Sequence, residues 1–172
     1  MSGSSDLIAL AERVLKTARR KGFTLVTAES CTAGQLAKIL SEAPGAAEHL
    51  HGGFVTYTKD QKTKALGVSA GLLRAKGAVC RDVAIAMAQG ALVRSPAQYA
   101  VAITGVAGPD PDEDNNPVGL VCAAVASETG ETLHFERRYG NIGREAVCAH
   151  AMRDALAELI DAMERVKPRV SA

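Results

Sequence analysis

Residues 23–34 read F-T-L-V-T-A-E-S-C-T-A-G, and the fold is decided there. Phe23 to Ala28 form a short apolar run with β-branched members, as a strand covered on both faces requires. The run stops at Glu29-Ser30-Cys31. From Gln35 to Leu40 the apolar residues return at helical spacing, until Pro44-Gly45 closes the segment. A buried strand that feeds straight into a helix is half of a β-α unit, and ligands bind beyond the carboxyl ends of such strands.

Working outward, the same junction recurs once, and a further strand runs into a polar loop. G-G-F-V-T-Y-T at 52–58 predicts a second strand, followed by a Lys-rich helical turn that Gly67 stops. Y-A-V-A-I-T-G at 99–105 predicts a third, running into V-A-G-P-D-P-D-E-D-N-N-P. Leu7, Ile8, Ala11, Val14, Leu15 and Ala18 predict an amphipathic helix over 6–21, capped by Ser4 or Ser5. Val83, Met87 and Ala91 place another over 81–94. Runs at 118–126 and 132–139, separated by S-E-T-G, predict an antiparallel hairpin. Met152, Leu156, Leu159 and Met163 mark one face of a last helix from about Arg144 to Val166, with a frayed tail from Pro168. This order predicts one α/β domain with helices on both faces of a mixed sheet. The loops carrying Glu29-Ser30-Cys31, Tyr57-Thr58 and Thr104-Gly105 are expected to share one crevice.

Composition narrows the function. The 172 residues carry 20 Lys plus Arg against 19 Asp plus Glu, a net charge of +1, with only 3% aromatic residues and no Trp. That balance argues against nucleic acid, which needs a basic surface and stacking platforms, and favours a small polar ligand. Cysteines at 31, 80, 122 and 148 show no C-x-x-C spacing and read as free thiols. With no run of 18 apolar residues, no membrane partner and a cytoplasmic location are expected.

Several residues at the junctions are candidates for chemistry. Ser30 reads either as a helix N-cap or as a nucleophile. Cys31 reads either as a small buried side chain or as a thiolate activated by a helix N-terminus, but His49, His51, His134 and His150 do not fall on a loop facing it. A serine nucleophile needs a base, and the second junction offers Lys59, Lys62 and Lys64. Lowering a lysine from about 10.4 to 7 or 8 costs about 4 kcal/mol, whereas a like charge 4 Å away in water supplies only about 1 kcal/mol. The base must therefore be partly buried, and Lys62, one turn from Lys59 and close after Tyr57, fits best. T-G-V-A-G at 104–108 serves either as an anion-approaching loop or as a tight turn. Asp110, Asp112, Glu113 and Asp114 read as a solvated loop rather than a metal site, and His49-x-His51 lacks a third ligand. Arg144, opening the last helix after G-N-I-G, reads either as a phosphate contact shared with the helix N-terminus or as a surface arginine.

The ordered motifs A-E-S-C-T-A-G, G-G-F-V-T-Y-T-K-D-Q-K with L-G-V, G-A-V-C, A-I-T-G-V-A-G-P-D and P-V-G-L-V resemble the CinA carboxy-terminal domain family, over about residues 6 to 165. The resemblance implies a three-layer α/β/α sandwich with a mixed sheet and a C-terminal antiparallel hairpin. It implies hydrolysis of the carboxamide of nicotinamide mononucleotide to the acid with release of ammonia, in pyridine nucleotide recycling, by a Ser/Lys dyad without cofactor or metal. It makes Ser30 the nucleophile, Lys62 the base and Tyr57 an auxiliary, with Thr32, Thr104, Gly105 and Arg144 binding a small nucleotide substrate. A homo-oligomer is expected. The alternative is a non-catalytic nucleotide-binding or regulatory domain linked to competence or DNA damage. Four positions depart from the family pattern: Ala33 stands for a common Gly, Ala46-Ala47 for Ser-Ser, Lys59 for a frequent Asn and Cys80 for a frequent Ser.

Overall fold

All five residues of β1 (Leu25–Glu29) are buried, and the sheet is built around this strand. The computed structural model describes residues 2–167, so the tail expected from Pro168 lies outside the described residues. Along the chain the elements are α1 (Ser2–Lys21), β1, α2 (Gln35–Glu42), α3 (Ala46–His49), β2 (Leu50–Val55), α4 (Lys59–Leu66), α5 (Ala70–Lys76), α6 (Arg81–Val93), β3 (Tyr99–Gly105), β4 (Leu120–Ser127), β5 (Thr132–Arg138) and α7 (Arg144–Glu164). The sheet order is β2-β1-β3-β4-β5. β1 runs parallel to β2 and β3, and β4 and β5 join antiparallel. This is the mixed three-layer α/β/α sandwich with its closing hairpin.

Alternation along the strands divides the core in two. Leu25, Val101, Ile103, Val121, Ala123 and Val125 face α1, α2 and α7. Val26, Ala28, Ala100, Ala102, Cys122 and Ala124 face α4, α5 and α6. A fully buried leucine such as Leu15 or Leu25 contributes about 1.5–3 kcal/mol. On the second face the strand residues are mostly alanine, so helices approach closely. Closest is α6 at Gly90, where an added Cβ would lie 2.1 Å from the Leu66 carbonyl oxygen at the end of α4. Gly90 thus sets how deeply α4 sits against the core.

The structure moves some boundaries. α1 begins at Ser2, so Ser4 and Ser5 lie inside the helix rather than capping it. β2 ends at Val55, because Thr58 leaves the strand to become the N-cap of α4, its hydroxyl accepting from the Gln61 N–H at 3.1 Å. Two helices were not expected, α3 and α5. The second is capped by Ser69, whose hydroxyl accepts from the Leu72 N–H.

Candidate active site

The turn after β1 is held by the strand that precedes it. Helix α2 starts at Gly34, which has φ +92° and no side chain to cap the helix. The cap is instead Glu29, the last residue of β1, fully buried. Its carboxylate accepts hydrogen bonds from the N–H groups of Gly34 (3.0 Å), Leu36 (3.0 Å) and Ala37 (2.8 Å), and from the hydroxyls of Thr27 (3.1 Å) and Thr32 (2.7 Å). Five donors offset the desolvation that such a group would otherwise suffer. Ser30 is therefore not the cap. Its N–H donates to the Ile103 carbonyl of β3 at 3.0 Å, and its hydroxyl is left for another partner.

That partner is Lys62, carried by α4. The side chain is 1% exposed, and Nζ lies 2.8 Å from Ser30 Oγ, 2.8 Å from the Thr56 carbonyl oxygen and 3.5 Å from that of Tyr57. Burial pulls its pKa down from 10.5 to about 8. Repulsion from Lys59 is not the cause, since burial is what lowers Lys62; Lys59 donates to Asp114 and Glu113, which hold its own pKa up. The two carbonyls can only accept, so they take the two N–H groups of the neutral amine and leave its lone pair facing the Ser30 hydroxyl. A lysine poised in this way can remove the serine proton near neutral pH.

Ser30 and Lys62 border a cavity of about 410 Å3 that Tyr57, Thr104, Gly105 and Arg144 also line. The three strand-end loops do converge. Thr104 is buried, and its hydroxyl donates to the Ala78 carbonyl at 2.8 Å. Gly105 is required by packing, since a Cβ there would meet Val121 at 2.8 Å and Cys31 Sγ at 3.2 Å. Arg144 opens α7 and donates to the Gly108 carbonyl. Tyr57 is 56% exposed, and what reaches Lys62 is its main-chain oxygen. Thr32 is placed differently from the sequence expectation. Its side chain is fully buried and spends its hydroxyl proton on Glu29, outside the cavity lining.

The remaining candidates are committed elsewhere. Burial, reinforced by Cys148, pushes the Cys31 thiol up to about 12, the opposite of an activated thiolate. Asp112 accepts from the N–H groups of Asp114 and Asn116 within its own loop. Asp114 accepts from Lys59 at 2.8 Å and from the Ala78 N–H at 3.2 Å, tying that loop to α4. His49 donates to the Phe23 carbonyl. Among the described residues no group of three or more His, Cys, Asp or Glu side chains is placed to hold a metal ion, and no helix is long and apolar enough to cross a membrane. Sequence reading missed Glu29, whose five partners meet only once the turn has formed.

An open α/β sheet that brings a buried lysine onto a serine at the carboxyl ends of its parallel strands defines a class of hydrolase-like site. The chain belongs to the CinA C-terminal domain family, whose model matches residues 7–163. It is 39% identical over 155 residues to the Escherichia coli K12 protein named nicotinamide-nucleotide amidohydrolase PncC, covering 90% of this chain and 93% of that one. It is 43% identical to a CinA-like protein of Geobacter sulfurreducens over 82% of this chain, but spans only 35% of that longer relative. The crystal structure of the Agrobacterium tumefaciens competence/damage inducible protein CihA superposes with a TM-score of 0.88 at 45% identity, over 92% of this chain and 96% of that one.

Proposed function

We propose that this protein is an amidohydrolase that converts nicotinamide mononucleotide to nicotinate mononucleotide and ammonia, and so recycles pyridine nucleotides in the cytoplasm. The observation that carries the mechanism is the 2.8 Å contact between the buried Lys62 amine and Ser30 Oγ. The name of the E. coli relative, matched over nearly its whole length, supports the substrate.

In this reading Ser30 Oγ attacks the carboxamide carbon while neutral Lys62 takes its proton. The negative charge gathers on the carbonyl oxygen. Around the turn, the N–H of Ser30 is bonded to Ile103, that of Ala33 to Ser30 and that of Gln35 to Thr32, while Glu29 takes Gly34, Leu36 and Ala37. Within the turn the amide of Cys31, which lines the cavity, remains as an oxyanion donor. Lys62 then returns its proton to the departing nitrogen, ammonia leaves, and a Ser30 acyl ester stays behind. Water, deprotonated by the same amine, hydrolyses the ester and restores both residues. Arg144, at the rim and the start of α7, receives the substrate phosphate. Thr104 and Gly105 shape the wall against the ring, and the protein acts as a homo-oligomer.

The test is ammonia release from nicotinamide mononucleotide by the wild type, Ser30→Ala and Cys31→Ala, with and without a chelator. Activity that survives chelation and Cys31→Ala but is lost in Ser30→Ala is expected. A folded wild type that releases no ammonia overturns the proposal in favour of a nucleotide-binding domain.

A further inference from the structure

We infer that Glu29 is a positioning residue for the nucleophile: its buried carboxylate clamps both ends of the 30–34 turn and so fixes where Ser30 Oγ stands. The inference rests on Ser30 being the reacting group. Glu29 closes β1, and three of the amides it accepts from, Gly34, Leu36 and Ala37, open α2. One carboxylate thus ties the strand's last residue to the helix's first turn. The residues between, Ser30 to Ala33, must bridge that closed gap with little freedom.

Chemistry indicates a carboxylate rather than an amide at this place. All five partners donate: three N–H groups and two threonine hydroxyls. A glutamine of the same size would turn an NH2 toward donors on one side and accept on the other only. No residue within the turn can replace the clamp, because the N-cap is Gly34. The clamp has a second consequence. It fills the anion-seeking start of α2 from inside the protein, so the helix terminus itself takes no part of the substrate, and within the turn the cavity-lining Cys31 keeps its amide for an oxyanion. Ser30 is held from its other flank by the Ile103 carbonyl, which leaves the Glu29 side as the one a substitution can loosen without touching β3.

Glu29→Gln tests this, read by kcat and KM separately and by the rate at which a fluorophosphonate probe labels Ser30. Misplacing a nucleophile by about 1 Å costs about 100-fold. The expected result is a fall in kcat and labelling of that order, with KM nearly unchanged and the midpoint of the pH profile still near 8, because Lys62 is untouched. Wild-type labelling in a folded Glu29→Gln variant overturns the inference, and so does a loss confined to KM. A displaced pH midpoint also overturns it, since Glu29 would then act on the charge of Lys62. Should Glu29→Gln fail to fold, the Thr27→Val, Thr32→Val double variant removes two donors and keeps the carboxylate. Slower labelling at unchanged KM supports the clamp, and an unchanged rate overturns it. Labelling that depends on Glu29 in a wild type that releases no ammonia from nicotinamide mononucleotide would sink the substrate while the clamp stands; ammonia release with labelling indifferent to Glu29 would do the reverse.

Discussion

Two loops border the cavity and are held in opposite ways. The turn 30–34 is fixed from beneath by a fully buried carboxylate and five donors. The loop between β3 and β4 is pinned from outside, where Lys59 meets Glu113 and Asp114 at 2.8 Å each with 31%, 71% and 29% of the respective side chains exposed. Charge-assisted bonds inside the protein are strong because their loss leaves a buried group unpaired, whereas exposed ion pairs typically contribute under about 1 kcal/mol. The backbone makes the same contrast. Each region holds a non-glycine residue at positive φ, Ala33 at +49° and Asn115 at +60°. Asn tolerates that conformation and Ala does not. The first loop therefore spends stability on a fixed geometry, and the second adapts cheaply. Ser30, the proposed nucleophile, sits on the first.

The comparison breaks most sharply if the buried side proves dispensable. Ser30→Ala and Lys62→Met are each expected to lower kcat by about 10^4-fold or more, as single members of a catalytic unit do. In the wild type, kcat/KM should rise with pH through about 8 as Lys62 loses its proton. Stability carries the matching sign. Because the folded value, about 8, lies below the unfolded 10.5, the cost of burying the charge is complete below pH 8 and fades as pH rises toward 10.5. That cost is about 3 kcal/mol. Lys62→Met removes it but strands the Thr56 carbonyl, a loss of about 2 kcal/mol. The variant should therefore be more stable than the wild type by about 1 kcal/mol at pH 7 and less stable above pH 10.5, a crossing that urea titrations at the two pH values would show.

Lys62 depends in turn on where α4 sits. Gly90→Ala drives a methyl into the Leu66 carbonyl, and relief requires α4 and α6 to separate. A destabilisation of about 1–3 kcal/mol is expected, together with a fall in kcat as the amine leaves Ser30. Full activity in this variant would show that the dyad tolerates more slack than its 2.8 Å contact implies.

Ala33→Gly sharpens the comparison from the other direction. At φ +49° an alanine is strained by roughly 1–2 kcal/mol, while glycine returns about half of that through the entropy of the unfolded chain. A net gain between roughly 0.5 and 1 kcal/mol is expected, with kcat unchanged because Glu29, not residue 33, fixes the turn. The corresponding Asn115→Gly should gain almost nothing. Equal gains at both sites would erase the distinction between the loops.

How much of this could be read in the sequence follows the range of the interactions. β1 and the β4–β5 hairpin were legible as contiguous apolar runs bounded by turn residues, and α7 by its 3.6-residue period. α5 was obscured by glycines at 67, 71 and 77, which read as breakers although Ser69 was there to cap it. Energy required of the sequence a partly buried lysine, and 62 was chosen for its spacing from Lys59 and Tyr57; that its side chain is the buried one only the packing of α4 reveals. Thr32 was misplaced and Glu29 overlooked for one reason. Their partners meet across a turn whose course depends on positive φ at 33 and 34, and no spacing rule reports that.

Lys59→Asn should have the smallest effect, and it probes the adaptable side directly. Removing the ammonium frees Glu113 and Asp114 but leaves the Asp112 contacts that shape the loop from within and the Ala78 N–H on Asp114. A stability change under about 1 kcal/mol is expected, and it should shrink further as salt is added. The charge of Lys59 is already balanced by two carboxylates, so its loss should leave the pH midpoint of kcat near 8. The exposed acids left behind would oppose an anionic substrate, so KM should rise by about threefold at low salt and recover at high salt. A shift in the midpoint instead would mean that Lys59 reaches the base through the field of the cavity, and the division between a fixed catalytic loop and an adaptable rim would have to be redrawn with α4 belonging to both.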